Sequence, residues 1–283
     1  MASKLSVTSH RADILGLRYA YPVISRRAGG LSIGVNFNTN NTCNWRCVYC
    51  QVPNLTVGVA PTLDFALLEQ ELHSVLADVL QGDFYERFEV APDKRVIKDI
   101  AIAGNGEPTS LAEFPDAIAK IAEIATQQRV FPGSDFVLIT NGSLIHQPRV
   151  RLGLLELHRQ HGQVWFKFDS ATEQGRKRIN NTAQSVRSAL TNLVIASELC
   201  TTKLQTCLVD YDGQGLSVFE KSAYLTALAS IKNECNVQDI MLYTIARPSM
   251  QSEAKLLKPL SYEVLAEFAD EIRQLGFYVS VCV

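Results

Sequence analysis

The sequence predicts an α/β fold, an open partial (βα)6 barrel extended at its end by a helix and a strand. Three observations predict it. Short apolar runs alternate with stretches of helical period along nearly the whole chain. Strands separated by helices form parallel units with right-handed crossovers. Six such strands lie between Ser32 and Ile245, fewer than the eight of a closed barrel. With 283 residues, 47% of them hydrophobic and 20% charged, there is ample material for one core.

The elements follow in order. Ser32 to Phe37 is a β-rich run. Thr62 or Asp64 caps a helix whose apolar face is Phe65, Leu68, Leu72, Val75, Leu76 and Val79. Val96 to Ala103 reads as a buried strand, and Phe114 to Gln128 as a helix with Ile118, Ile121 and Ile124 inward. Phe136 to Thr140 is a strand, Val150 to His161 a helix, and Val164 to Asp169 a strand. Val186, Ala189, Leu190, Leu193 and Val194 form the stripe of the next helix. Strands Leu204 to Val209 and Ile240 to Ile245 flank a helix around Tyr224 to Lys232. A last helix carries Val264, Leu265, Phe268, Ile272 and Leu275, Gly276 stops it, and Phe277 to Val283 is a terminal strand. Phe84 to Lys94 is an insertion, and Pro248 to Pro259 a polar connection. The expected division is a basic extension over 1–31, a barrel over 32–247 and a C-terminal extension, 248–283, packed on it.

No stretch has the length of a membrane span, and the opening residues carry no apolar signal core. Seven cysteines without a secretion signal point to a reducing cytoplasm. The net charge is −2, yet residues 1–50 hold Lys4, Arg11, Arg18, Arg26, Arg27 and Arg46 against Asp13 alone, a net +5. A second basic stretch runs from Arg149 to Arg187 and includes Arg151, Arg159, Lys167, Arg176, Lys177 and Arg178. Either is a solvated surface or a landing site for a polyanion such as RNA. A monomer or a dimer is expected.

In parallel α/β folds chemistry gathers at the carboxyl ends of strands. Here Cys43, Cys47 and Cys50, spaced C-x3-C-x2-C, follow the first strand. Gly104-Asn105-Gly106-Glu107-Pro108-Thr109 follows the second, Thr140-Asn141-Gly142-Ser143 the third, and Lys167 with Asp169 closes the fourth. Three thiolates in one short loop can share an inorganic centre and leave one metal position open, as on a cubane iron–sulfur cluster otherwise held by four. A disulfide set would be odd in number and strained, and a zinc knuckle needs a fourth Cys or His, which is missing between Gln51 and Glu71. A lone G-x-G-E-P would be a surface turn. Its place behind the cysteine loop makes it a candidate ligand loop, because glycine lets a backbone approach a ligand closely.

These motifs resemble the radical S-adenosylmethionine (SAM) superfamily, with its C-x3-C-x-aromatic-C loop and GGE motif. The stretches Tyr21 to Arg27, Gly30 to Asn36, Cys43 to Gln51, Thr140 to Leu144 and Arg178-Ile179-Asn180 further resemble proteins related to wyosine-base synthetase, over roughly residues 20–180. That synthetase acts on a tRNA guanosine and carries a second, N-terminal cysteine set, whereas no Cys precedes Cys43 here. The resemblance implies a partial TIM-like barrel, a [4Fe–4S] cluster on Cys43, Cys47 and Cys50, and SAM chelated to its open iron. It implies SAM contacts from Gly104, Asn105, Gly106 and Glu107, the carboxylate taking the methionine ammonium. It places Tyr49 against the adenine and sets Asn141, Lys167 and Asp169 on the SAM-facing rim. From its position after the sixth strand, Arg247 is expected to pair with a substrate carboxylate or phosphate. The implied reaction is reductive cleavage of SAM to a 5′-deoxyadenosyl radical that abstracts hydrogen. Flavodoxin or ferredoxin is the electron donor and a tRNA nucleoside the substrate. A glycyl-radical-enzyme activase, or a non-catalytic iron–sulfur or zinc protein, are the alternatives. Cys200, Cys207, Cys235 and Cys282 are dispersed and are not expected to build a second cluster.

Overall fold

A computed structural model describes Leu5 and residues 15–283. Eight strands form one sheet in chain order: β1 (Ala20–Ser25), β2 (Gly30–Val35), β3 (Ile97–Ile102), β4 (Asp135–Thr140), β5 (Gln163–Lys167), β6 (Thr201–Cys207), β7 (Asp239–Tyr243) and β8 (Tyr278–Cys282). The β1–β2 hairpin is antiparallel; every other neighbouring pair is parallel. The sheet curls into a half-barrel.

Helices α1 (Phe65–Gln81), α2 (Phe114–Gln127), α3 (Pro148–Arg159), α4 (Val186–Leu199), α5 (Val218–Ile231) and α6 (Tyr262–Arg273) cover the convex face. Alternation along the strands explains the layering. Ile33, Ile100, Ile102, Leu138, Phe166, Leu204 and Leu242 pack outward among Leu68, Ile118, Leu154, Leu193, Leu228 and Phe268. Their neighbours Ala101, Val137 and Trp165 face inward, with Ile139 and Met241 against them. The concave side is therefore a lumen with a small apolar floor.

Helix starts follow cap chemistry. Asp64 accepts from the Leu67 N–H at 3.1 Å, and Ser185, Ser217 and Ser261 cap α4, α5 and α6 in the same way. With Ser217 as cap, α5 starts at Val218, six residues ahead of Tyr224, where the apolar pattern suggests it begins. Residues 20–25, expected within a basic extension, instead form β1. Pro22 interrupts the strand pattern of the sequence, but a sheet edge tolerates proline. The buried Glu71 carboxylate of α1 accepts the N–H groups of Arg18 (2.8 Å), Tyr19 (2.7 Å) and Ala20 (3.2 Å) and so anchors the entry to β1. The expected strand Leu204–Val209 divides. Thr201–Cys207 stays in the sheet, while Val209–Tyr211 leaves it to pair antiparallel with Leu257–Pro259. Lys4, Arg11 and Asp13 of the basic opening lie outside the described residues. Among the described residues no helix is long and apolar enough to cross a membrane.

Candidate cluster and SAM site

The cysteine loop leaves the carboxyl end of β2 and crosses the mouth of the lumen. Thr42–Cys43 forms a two-residue ribbon with Thr56–Val57. The glycine-rich loop after β3 supports that ribbon from below. The Asn36 Oδ1 accepts the N–H groups of Asn38 and Asn105, both at 3.0 Å, and the Asn105 amide reaches Asn41 Oδ1 at 2.6 Å. Gly106 is pressed against the ribbon: a Cβ there would lie 2.6 Å from Asn38 Cγ and closer still to the Thr42 carbonyl oxygen. Only glycine fits that approach.

Two remote segments clasp the loop from the other side. Residues Arg176–Asn180 form a π-helical turn, a device common near functional sites. Through it the Ile179 carbonyl accepts the Val48 N–H at 2.8 Å and Asn180 Nδ2 donates to Cys47 Sγ at 3.3 Å. Ser249 Oγ donates to the Val48 carbonyl at 2.6 Å and to the Cys50 carbonyl at 3.1 Å. Glu253 receives both arms of the Arg46 guanidinium at 2.8 and 2.5 Å, and its pKa falls to about 2, chiefly through those bonds. Neither Asn44, Asn180, Ser249 nor Glu253 is assigned a site role by the sequence. Asn44 and Asn180 lie in stretches the resemblance marks; Ser249 and Glu253 do not.

The three thiols are free. Burial pushes Cys43 up to about 12 and Cys47 up to about 11, and raises Cys50 as well. The Trp45 N–H on Cys43 Sγ (3.4 Å) and Asn180 on Cys47 Sγ oppose that rise, as do the Gln51 and Val52 N–H groups at Cys50. Donors aimed at sulfur are what a metal-bound thiolate needs, and metal uptake here must displace protons. The donor set fits a cubane held by three thiolates. Among the described residues, no three or more His, Cys, Asp or Glu side chains already stand around a metal-sized point. The fit therefore rests on the donors and their N–H partners.

Glu107 is buried and both its carboxylate oxygens are engaged by protein. Oε1 accepts from Thr109 N (3.1 Å), Thr109 Oγ1 (2.6 Å) and Thr140 Oγ1 (2.6 Å), and Oε2 accepts from Asn141 N (2.7 Å). Burial raises its pKa, and these bonds resist the rise. The side chain thus ties the β3 and β4 loops together. Asn141 passes the tie on: its Nδ2 donates to Asn44 Oδ1 at 2.8 Å, next to Cys43. Asp169 sits under Tyr49 and accepts its phenol O–H; it also accepts Asn180 Nδ2 (2.7 Å) and Cys207 N (2.8 Å). Lys167 donates to the Tyr243 phenol at 2.8 Å and lies 3.8 Å from Asp169. Burial works against its ammonium, yet Asp169 and Tyr243 hold its pKa above the ordinary value. The structure thus gathers Tyr49, Lys167, Asp169 and Cys47 into one network around the buried Asp169. Gly104, Asn105, Gly106, Glu107 and Asn141 form a second group behind Cys43. Arg247 stands on the Cys50 side, where its carbonyl accepts from Gln51 Nε2 at 3.5 Å. Cys200 donates to the Gly162 carbonyl and Cys235 to Ser197 Oγ, both at 3.3 Å on the outer layer. Cys207 packs with Val48, Val209 and Leu257.

Residues 37–213 match the family model of the radical SAM superfamily, and the chain belongs to that superfamily. Its members are enzymes that use SAM with a [4Fe–4S] cluster, and the cysteine loop described above lies within the matched residues. Among curated relatives, a UPF0026 protein of Helicobacter pylori is 24% identical over 238 residues, covering 83% of this chain and 68% of that protein. The GTPase Obg of Brachyspira hyodysenteriae is 29% identical over 136 residues, 47% of this chain, but the match spans only 17% of that relative. A radical SAM methyltransferase from Sphaerobacter thermophilus shares the fold with a TM-score of 0.59 at 13% identity, over 93% of this chain and 68% of that one. TYW1 with a lysine-pyruvate adduct bound does so with a TM-score of 0.56 at 14% identity, over 87% and 74%.

One outcome follows from the Glu107 bonds. Glu107→Gln puts an amide N–H against one of four donors and removes a charge-assisted acceptor, worth roughly 1.5–3 kcal/mol. SAM affinity should fall about tenfold or more, while iron content stays near wild type, because no thiol contacts Glu107. Anaerobic SAM titration with parallel iron analysis checks this; unaltered SAM affinity would refute it.

Proposed function

We propose that the protein reductively cleaves SAM and abstracts hydrogen from a tRNA nucleoside. The observation that carries the reading is the C-x3-C-x2-C loop held across the mouth of the half-barrel, with N–H donors on its sulfurs. When bound, the cluster and SAM supply one-electron chemistry that yields methionine and the 5′-deoxyadenosyl radical. The chain's residues do the remaining work. Cys43, Cys47 and Cys50 ligate. The glycine-rich loop and Asn141 shape the SAM pocket. Tyr49, held by Asp169, would lie against the adenine. The apolar floor of Ala101, Val137 and Trp165 excludes water from the lumen. Reduced flavodoxin or ferredoxin supplies the electron. Release of 5′-deoxyadenosine from SAM by reconstituted protein under reduction tests the reaction; none, with the cluster intact, would sink it.

The tRNA part has its own test. Half of the second basic stretch is occupied internally. Arg149 bonds the Thr109 and Leu111 carbonyls, Arg159 pairs with Glu156, Lys167 faces the lumen and Arg176 is buried against Trp45. Besides Arg151 on α3, Lys177, Arg178 and Arg187 remain exposed, Lys177 and Arg178 on the turn that grips Cys47. Binding of bulk tRNA should weaken steeply with salt. Replacing those three by Gln should flatten the log–log slope by up to about three. Binding that is absent at low salt, or indifferent to the triple replacement, favours a protein or small-molecule substrate.

A further inference from the structure

Three guanidinium groups stand together on the open side of the half-barrel. Arg26 and Arg27 come from the β1–β2 turn, and Arg247 from the segment after β7. Arg26 reaches the Thr244 carbonyl at 3.5 Å. Arg27 stands 5.6 Å over the Trp165 ring and 5.4 Å over the Tyr243 ring, so its charge is directed into the lumen. Arg247 is half-buried, and its Nε is buried without a hydrogen-bond partner. Among the described residues, none of the three lies within ion-pair distance of a carboxylate.

They act on one another. Burial lowers Arg247 to about 10, and the charges of Arg26 and Arg27 push the same way. Like charges gathered under partial burial cost free energy unless an anion joins them. Asp99, a buried carboxyl that the Arg27 charge acts on, is a poor answer. Its own burial raises it to about 6 despite the Arg27 charge, and it is engaged by the Ser32 hydroxyl. A guanidinium fork matches the oxygens of a phosphate in shape as well as in charge. The cluster also adjoins the reaction site, because Arg247 is two residues before Ser249, which grips Cys50.

We infer that Arg26, Arg27 and Arg247 form a subsite for a phosphate group of the substrate, beside the Cys50 end of the cluster loop. The inference rests on the lumen being the reaction chamber. The same chemistry serves a phosphate of an RNA backbone and that of a free nucleotide.

The probe is inorganic phosphate, titrated calorimetrically into reconstituted protein against chloride at equal ionic strength. Saturable phosphate binding is expected, weakened about tenfold or more in Arg27→Gln and in Arg247→Gln. Arg247→Lys keeps the charge but loses the fork and should fall between. Lys120→Gln, on an exposed helix face, should bind as wild type, and circular dichroism reports the fold of each variant. Displacement of phosphate by bulk tRNA assigns the group to RNA; displacement by a nucleoside 5′-monophosphate but not by tRNA assigns it to a small nucleotide. Equal responses to phosphate and chloride, or folded glutamine variants that bind phosphate like wild type, overturn the subsite. SAM cleavage is measured on the same preparations. Phosphate binding without SAM cleavage would fault the reaction and not the subsite, and the reverse result would fault the subsite alone.

Discussion

Alanine at any one of Cys43, Cys47 or Cys50 is expected to abolish the SAM-responsive cluster and reduce 5′-deoxyadenosine release to background. Wild-type protein reconstituted anaerobically should hold about four irons. Two thiolates leave a second iron uncovered, and the loop itself offers no replacement: no His, Cys, Asp or Glu lies between Gln51 and Asp64. The apo fold should scarcely change. The three side chains are only partly buried and none belongs to the helix-facing core. Iron analysis, the low-temperature spin spectrum with and without SAM, and far-ultraviolet circular dichroism together read the result. A triple alanine variant that kept the same spectrum and cleaved SAM would show that the cluster sits elsewhere.

Gly106→Ala is expected to have the next largest effect, though it adds one methyl group. The new Cβ meets the Thr42 carbonyl, which cannot swing away because Asn38 Nδ2 donates to it at 3.0 Å. Either the glycine-rich loop or the Cys43 ribbon must shift. Overpacking of this kind costs roughly 1–3 kcal/mol. Displacing a ligand loop also costs on the order of a hundredfold in rate, as misplacement by about 1 Å does elsewhere. Gly133→Ala serves as control, since its Cβ would meet only Val130 O at 3.4 Å. SAM cleavage and iron retention in Gly106→Ala equal to those of Gly133→Ala would mean that the close approach has no functional consequence.

The parallel strands and their helices were legible because apolar period and cap residues act locally, as at Asp64 with α1. The cysteine loop and Gly104–Glu107 were legible because residues near in sequence share one job. Other features depend on partners distant in sequence. β1 is defined by its pairing with β2 despite Pro22. The hold of Ser249 and Glu253 on the loop has no local pattern. Asp169 and Glu107 carry the chemistry expected at a ligand site, yet their oxygens are turned to Tyr49, Asn180, Thr109, Thr140 and Asn141. Charge and strand position identify such residues, but only the surrounding side chains show which way a carboxylate faces.

The clasp on the cysteine loop also sets an order of events. Val48 is bonded to Ser249, 201 positions later, and Arg46 to Glu253, 207 later. A ribosome that has made the cysteines has still to make most of the barrel before the loop can settle. Contacts of such long sequence range form late. The thiols of a nascent chain therefore wait unrestrained and open to oxidation, and loading of iron and sulfide belongs after release of the finished polypeptide. A chain stopped before Ser249 would keep most of its strands and make a poor recipient for the cluster.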